Sequence, residues 1–221
     1  MMDVLGVTFG QFHTFQDWGL FQSAPVALSA PVLRSNYITV PGRNGALDLT
    51  EALTGQPIYD PRTLSGSFFT VSTPEEWPET FTAILNAIHG QRMKIILDED
   101  PDYYWEGRIT VGDAGYEDGV YTLPITAVCA PYKLHHTPTS LSFDLTTESR
   151  EIVLINDRMA VCPEITVTAE TTLTFGSTDY TLSAGAWKLV AVQLQEGQNT
   201  FTAHTISGAG TITFTYQEGS L

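Results

Sequence analysis

Apolar residues alternate with threonine and serine through much of this chain, and that period of two restricts what it can fold into. Leu141/Phe143/Leu145, Ile165/Val167/Ala169, Leu173/Phe175 and Ile212/Phe214/Tyr216 each place apolar side chains on one side of an extended segment. A strand with one buried and one solvated face reads this way. Threonine fills the exposed positions because β-branched side chains suit a pleated surface. From about residue 138 onward the strands are divided by turns such as Ser183-Ala184-Gly185, Glu196-Gly197-Gln198-Asn199 and Ser207-Gly208-Ala209-Gly210. Short strands at this spacing predict an antiparallel sandwich.

The earlier part is mixed. Thr73-Pro74-Glu75-Glu76 has the Thr-x-x-Glu form of a capping box with Pro at the first helical position. Phe81, Ile84, Leu85 and Ile88 follow at helical spacing, and Gly90 supplies a left-handed end. Pro78 fits only in the first turn or at a later helix start. The pattern predicts one helix of about four turns packed on a sheet. The strands of that sheet are expected at residues 34–40, 64–71, 93–97, 104–111 and 120–130, the last turning back through Asp118-Gly119. Pro131, His135-His136 and Pro138 interrupt both patterns, so a boundary is expected between a 1–133 domain and a 134–221 domain. The fold class is therefore mainly β: an α+β N-terminal domain with one main helix on a sheet, then a C-terminal antiparallel β-sandwich.

Composition narrows the function. The chain is 43% hydrophobic and 16% charged, as globular proteins are. A formal charge of −15 argues against a protein that grips nucleic acid through its phosphates, which takes a Lys/Arg surface. Both halves share the acid excess, so neither is an acidic tail. It reads as a solvated surface, or in part as the lining of a passage for DNA. Cys129 and Cys162 form no Cys-x-x-Cys pair and sit in apolar stretches, where buried free thiols are expected. The start Met1-Met2-Asp3-Val4 has no basic, apolar leader, and no stretch approaches the ~20 apolar residues of a membrane span. The expectation is a protein made in a cytoplasm without membrane insertion.

Candidate chemistry is thin. Asp98-Glu99-Asp100-Pro101-Asp102 alternates like a calcium loop, but Tyr103 stands where glycine is needed and Ile109 where a bidentate Glu is needed. A polar turn between strands is expected there. His135 and His136 are adjacent and would point to opposite faces of a strand, which suits no shared zinc ion. His89, at a helix end, is expected to bond the last carbonyls. No Gly-x-Ser-x-Gly elbow and no phosphate-cradling loop is present. No catalytic residue, metal or cofactor is expected, and the chain is read as no enzyme.

Several segments recur in an order that carries more information than any one of them. Phe9-Gly10 and Asp17-Trp18-Gly19-Leu20 come first. A turn, Val40-Pro41-Gly42-Arg43-Asn44-Gly45, then leads into a short amphipathic piece that Gly55 ends. Ile88-His89-Gly90, Asp98 through Arg108, and Ala130-Pro131-Tyr132-Lys133 complete the series. Together they resemble the distal tail (Dit-like) proteins of long-tailed bacteriophages. In the second domain Leu194 through Phe201, Ile155-Asn156-Asp157 and Pro163 through Val167 resemble the galectin-like sandwich of the same family, and carbohydrate-binding modules more generally.

The resemblance implies a structural virion protein at the tail tip, forming a homo-hexameric ring between tail tube and adsorption apparatus. Its implied partners are further copies of itself, the tail tube protein, a tail-tip or tail-associated protein and a receptor-binding protein. Phage DNA is expected to pass through the ring without specific binding. Arg43, Asn44 and Asp48 are expected in a loop reaching a neighbouring subunit, with Arg43 facing a carboxylate. Trp77, Tyr103, Tyr104 and Trp105 are read as domain core or ring contacts alike. The alternative is a host-surface carbohydrate-binding adhesion module, in which Tyr180 and Trp187 stack on a sugar. Against it stands the reading of Trp187 as core or an inter-subunit contact.

Overall fold

The computed structural model describes residues 5–221, and the expectation for the start at Met1-Met2-Asp3-Val4 falls outside them. The chain is mainly β and divides into two compact units, Met1–Lys133 and Leu134–Leu221.

The elements of the first unit are β1 (Val7–Phe9), β2 (Phe12–His13), α1 (Thr14–Trp18), β3 (Phe21–Gln22), β4 (Ala27–Leu28), β5 (Tyr37–Thr39), β6 (Ala46–Asp48), β7 (Arg62–Thr70), α2 (Trp77–Ile88), β8 (Arg92–Leu97), β9 (Tyr103–Val111), β10 (Gly115–Glu117) and β11 (Val120–Cys129). An antiparallel sheet runs β2-β1-β8-β9-β11-β7-β3, with β4 also on β7 and β10 on β11. Alternation decides which face is core. Leu64, Phe68, Ile95, Ile109, Leu123 and Ile125 point to one side and are buried with Ile84 and Ile88 of α2. The opposite side carries Thr63, Arg92, Arg108, Thr122 and Val128, all exposed. One helix covers one face and leaves the other open.

The turn residues behave as their chemistry requires. Asp118 and Gly119 both adopt positive φ, 50° and 85°, between the paired residues Glu117 and Val120. Such a two-residue turn matches the right-handed twist of the strands it joins. Helix α2 differs from expectation at its start. Thr73 and Glu76 do make reciprocal bonds, Thr73 N–H to Glu76 Oε2 at 3.4 Å and Glu76 N–H to Thr73 Oγ1 at 3.3 Å. That box lies one turn ahead of the regular helix, so Pro78 rather than Pro74 occupies the first helical turn. The helix is therefore 12 residues long, nearer three turns than four. His89 also departs from its expected role: its Nδ1 accepts the Val111 N–H at 3.1 Å and ties the helix end to β9. Of the aromatics, Trp77, Tyr104 and Trp105 are buried and Tyr103 half-buried. Trp77 stacks on Tyr121 with ring centroids 4.6 Å apart.

Helix α1 has no periodic signal in the sequence, because it is only five residues long. A histidine caps it. His13 Nδ1 accepts the Phe15 and Gln16 N–H groups at 3.3 and 3.1 Å. An accepting Nδ1 carries no proton, so the proton sits on Nε2, which donates to Asp98 Oδ2 at 3.0 Å. Asp98 Oδ2 also takes the Gly6 N–H at 2.9 Å. A Cβ at Gly6 would stand 2.6 Å from the His13 ring, so the close approach requires glycine.

The second unit contains β12 (Lys133–His135), which begins at the boundary residue, then β13 (Thr139–Leu145), β14 (Arg150–Asn156), β15 (Glu164–Val167), β16 (Thr171–Phe175), β17 (Thr178–Leu182), β18 (Gly185–Lys188), β19 (Gly197–Thr205), β20 (Gly210–Tyr216) and β21 (Gly219–Ser220). Two antiparallel sheets, β13-β20-β15-β18 and β14-β19-β16-β17, face each other. Their inner residues Leu145, Ile152, Leu154, Ile165, Leu173, Phe201 and Phe214 form one core. Phe201 and Phe214, from opposite sheets, meet with ring centroids 5.1 Å apart. Outward positions are hydroxyl-rich, as in the Ser142–Thr213 pair at 2.8 Å. Tyr216 donates its O–H to the Ile155 carbonyl at 2.6 Å. Burial first, then the charges of Glu218 and Asp157, push its phenol up to about 12.

Cys129 is buried beside Arg62, and burial pushes its thiol up to about 11. Cys162 is only half-buried, 3.1 Å from the Leu189 carbonyl, because it lies in the irregular link before β15 and not on an inward strand position.

Candidate functional site

Strand β5 is not part of the large sheet, contrary to the expectation for residues 34–40. It pairs only with β6, Tyr37 opposite Asp48 and Thr39 opposite Ala46. The reason is local: the Pro41-to-Gly45 turn closes the segment on itself, with Gly42 and Gly45 at φ 82° and 77°. The pairing continues below the hairpin. Leu49 N–H donates to the Asn36 carbonyl at 2.8 Å, Arg34 N–H to Ile58 at 2.9 Å, and Asp60 N–H to Val32 at 2.8 Å. Arg34 and Asp60 add an ion pair at the base. Residues 32–60 thus form a self-paired arm inserted between β4 and β7.

This arm is apolar where it is exposed. Val32, Leu33, Tyr37, Ile38, Val40, Leu53 and Ile58 make up seven of the 16 exposed large hydrophobic residues among the described residues. Leu53, at 98% exposure, touches almost nothing. Single exposed apolar residues need no explanation, but a concentration of this kind marks an interaction surface.

Arg43 and Asn44 sit at the tip, and Asp48 sits on β6. The Arg43 N–H donates to the Val40 carbonyl at 3.1 Å, closing the turn, and its guanidinium makes no ion pair among the described residues. Asp48 is engaged elsewhere: its Oδ1 accepts the Thr50 N–H at 2.9 Å. The Thr50 hydroxyl, then its N–H, hold that carboxyl below the usual range despite slight desolvation, with help from Tyr37. Asp48 therefore shapes the arm.

The remaining candidates do not converge. Asp98 is directed to Gly6 and His13, whereas Asp100 pairs with Lys133 Nζ at 2.6 Å. Lys133 also lies 3.8 Å from the Tyr103 ring centroid. Among the described residues no group of three His, Cys, Asp or Glu side chains could hold a metal ion. His135 Nε2 and Ser220 Oγ approach the same oxygen of Asp157, at 3.1 and 3.0 Å. A nucleophilic serine needs the histidine itself as its base, and here both lean on the carboxylate. Tyr180 lies on β17 and Trp187 on β18, the edge strands of opposite sheets. Both are half-buried against the sandwich core, and the Trp187 indole N–H donates to the Ser183 carbonyl at 2.8 Å. No helix of the described residues is long and apolar enough to cross a membrane.

No family model matches the chain, and no curated protein matches it by sequence. Solved structures do. The crystal structure of the SPP1 Dit (gp 19.1) protein aligns over 99% of this chain and 100% of its own, with a TM-score of 0.71 at 16% identity. The fold is that of a Dit protein. That structure is described as a paradigm of the hub of the adsorption apparatus in phages infecting Gram-positive bacteria. Sequence reasoning missed the exposed apolar character of the arm. The available signal was Tyr37-Ile38 and Val40 on one short leg, where neighbouring apolar residues must face opposite ways and cannot all reach one core.

Proposed function

We propose that this chain is a structural phage tail protein, the subunit of a homo-hexameric ring that joins the distal end of the tail tube to the tip and its adsorption apparatus. The observation that carries this reading is the exposed apolar arm on a chain whose whole length has the fold of a hub protein. Monomeric proteins seldom expose apolar side chains in such concentration, and association covers them. A head-to-tail contact that closes by rotation makes a ring. In this reading residues 1–133 build the ring, and the arm, with Arg43 and Asn44 at its tip and Asp48 holding its shape, reaches a neighbour. The 134–221 sandwich, galectin-like, holds the adsorption apparatus on the outside. The neighbours in the virion are the tail tube protein, a tail-tip protein and a receptor-binding protein. The acid excess keeps phage DNA moving through the ring, since like charge lowers its affinity.

Negative-stain imaging of the purified protein tests the proposal. Rings with a central hole and a mass of about 145 kDa, six times 24.2 kDa, are expected. Isolated monomers at every concentration contradict it. Glycan binding by a protein that remains monomeric would favour the carbohydrate-binding adhesion module.

A further inference from the structure

Asn44-Gly45 is the one Asn-Gly step in the sequence, and the fold leaves it unoccupied by any structural task. Val40 to Arg43 make a complete turn without it. The Arg43 N–H closes on the Val40 carbonyl at 3.1 Å, and Gly42, after Pro41, takes φ 82° as that turn requires. Strand β6 begins just beyond, with Ala46 opposite Thr39. Asn44 and Gly45 therefore lie between a closed turn and a paired strand. Both are exposed, and neither the Asn44 side chain nor the Gly45 N–H makes a hydrogen bond among the described residues. A Cβ built at Gly45 would meet nothing within 4 Å, so no neighbour crowds this peptide.

The other asparagines are held. Asn156 and Asn199 are buried, and their side-chain amides donate to the Met159 carbonyl at 2.9 Å and the Gln195 carbonyl at 2.8 Å. Asn86 lies inside α2, where the next N–H belongs to the helix ladder. Asn36 is followed by Tyr37, whose side chain crowds the nitrogen that follows the asparagine. Asp118-Gly119 has the same form, but both residues are fixed in the two-residue turn between Glu117 and Val120. Its ionised carboxylate is also a poor electrophile.

We infer that Asn44 is a self-modification site, at which the Gly45 backbone nitrogen attacks Asn44 Cγ. The new N–C bond closes a cyclic imide as the Cγ–Nδ2 bond breaks. The displaced nitrogen leaves as ammonia, carrying the proton given up by the Gly45 N–H. Water then opens the imide at either carbonyl and leaves an aspartyl or an isoaspartyl linkage at position 44. Water is the only co-reactant. Both products change the tip of the arm. Arg43 is the one charged residue between Tyr37 and Leu47, and a carboxylate beside it cancels that charge. The isoaspartyl linkage also adds a methylene to the main chain ahead of β6, which works against the Thr39–Ala46 register. The reaction takes place within two adjacent residues, so the inference stands apart from the ring reading.

Timed incubation of the purified chain in mildly alkaline heavy-oxygen water, followed by peptide mapping with mass spectrometry, tests this. Position 44 should lose ammonia and gain heavy oxygen ahead of Asn36, Asn86, Asn156 and Asn199. A methyltransferase specific for isoaspartyl residues should label the same peptide. Gly45→Ala should slow the conversion about tenfold by hindering the attack. Because Gly45 sits at φ 77°, that variant carries backbone strain, and Asn44→Gln is the second control, with labelling of this peptide lost. Circular dichroism checks that both variants are folded. An unchanged position 44 while another asparagine converts would overturn the assignment. Equal conversion in Gly45→Ala would overturn the attack by the Gly45 nitrogen.

Discussion

The two units solve the same problem in opposite ways. The sandwich of residues 134–221 covers each sheet with the other and presents Thr and Ser outside, so its core is complete within one chain. The 1–133 unit covers one face of its sheet with α2, leaves the other face open with cations on it, and carries an apolar arm that no described residue covers. A closed unit can be displayed, whereas an open one asks for company. The proposed function rests on this contrast, with assembly through the first unit and display of the second.

Removing the arm should break this contrast most strongly. Closing the chain from Arg34 to Ile58 with a short Gly-Ser turn uses a junction already bridged by a backbone hydrogen bond. Size-exclusion chromatography with light scattering should show the mass falling from a hexamer to a monomer, with the thermal melt of the remaining chain little changed. An intact oligomer after this deletion would move the assembly surface elsewhere.

Phe214→Ala probes the closed unit. Phe214 is fully buried and contacts rings from both sheets, so its loss should cost about 3–5 kcal/mol of sandwich stability in denaturant titration. Assembly through the first unit should survive that change under conditions where the sandwich stays folded.

Alkaline pH should separate the two units by a smaller margin. Cys129 in the first unit is raised from 9 to about 11, and Tyr216 in the second from 10 to about 12. In both cases the folded state holds its proton when the unfolded state has lost it. Stability is thus complete below the unfolded value and falls as pH rises toward the folded one. Urea midpoints should decline between about pH 9 and 11 for the first unit and between about 10 and 12 for the second. Cys129→Ser and Tyr216→Phe should each flatten the corresponding decline. The smallest effect belongs to Leu53→Ser: under ~0.5 kcal/mol in the stability of the chain, because the side chain is almost wholly exposed, yet a measurable loss of association.

Much of the fold was legible in the sequence because its periods were clean. The alternation around Phe143, Ile165 and Phe214 specified the sandwich strands, and Phe81, Ile84, Leu85 and Ile88 specified α2. Asp118-Gly119 marked its hairpin by backbone chemistry alone. The unread parts share a cause. Strands β1 to β4 are two or three residues long, too short for a period to show, and α1 is capped by His13, a residue not expected at an N-cap. The arm misled because its strand residues look like sheet residues, and only pairing distinguishes the two. Glycine-flanked turn chemistry put Arg43 and Asn44 in a tight turn, whereas the hydrogen bond that commits Asp48 to Thr50 has no signature in the sequence. The row of Thr63, Val128, Arg108 and Arg92 is invisible in sequence, since four strands contribute one residue each.

Native mass spectrometry of the purified chain tests the central claim most directly. Predominantly six-subunit assemblies near 145 kDa, six times 24.2 kDa, are the predicted result. A spectrum containing only the single chain across the accessible concentration range would contradict the account.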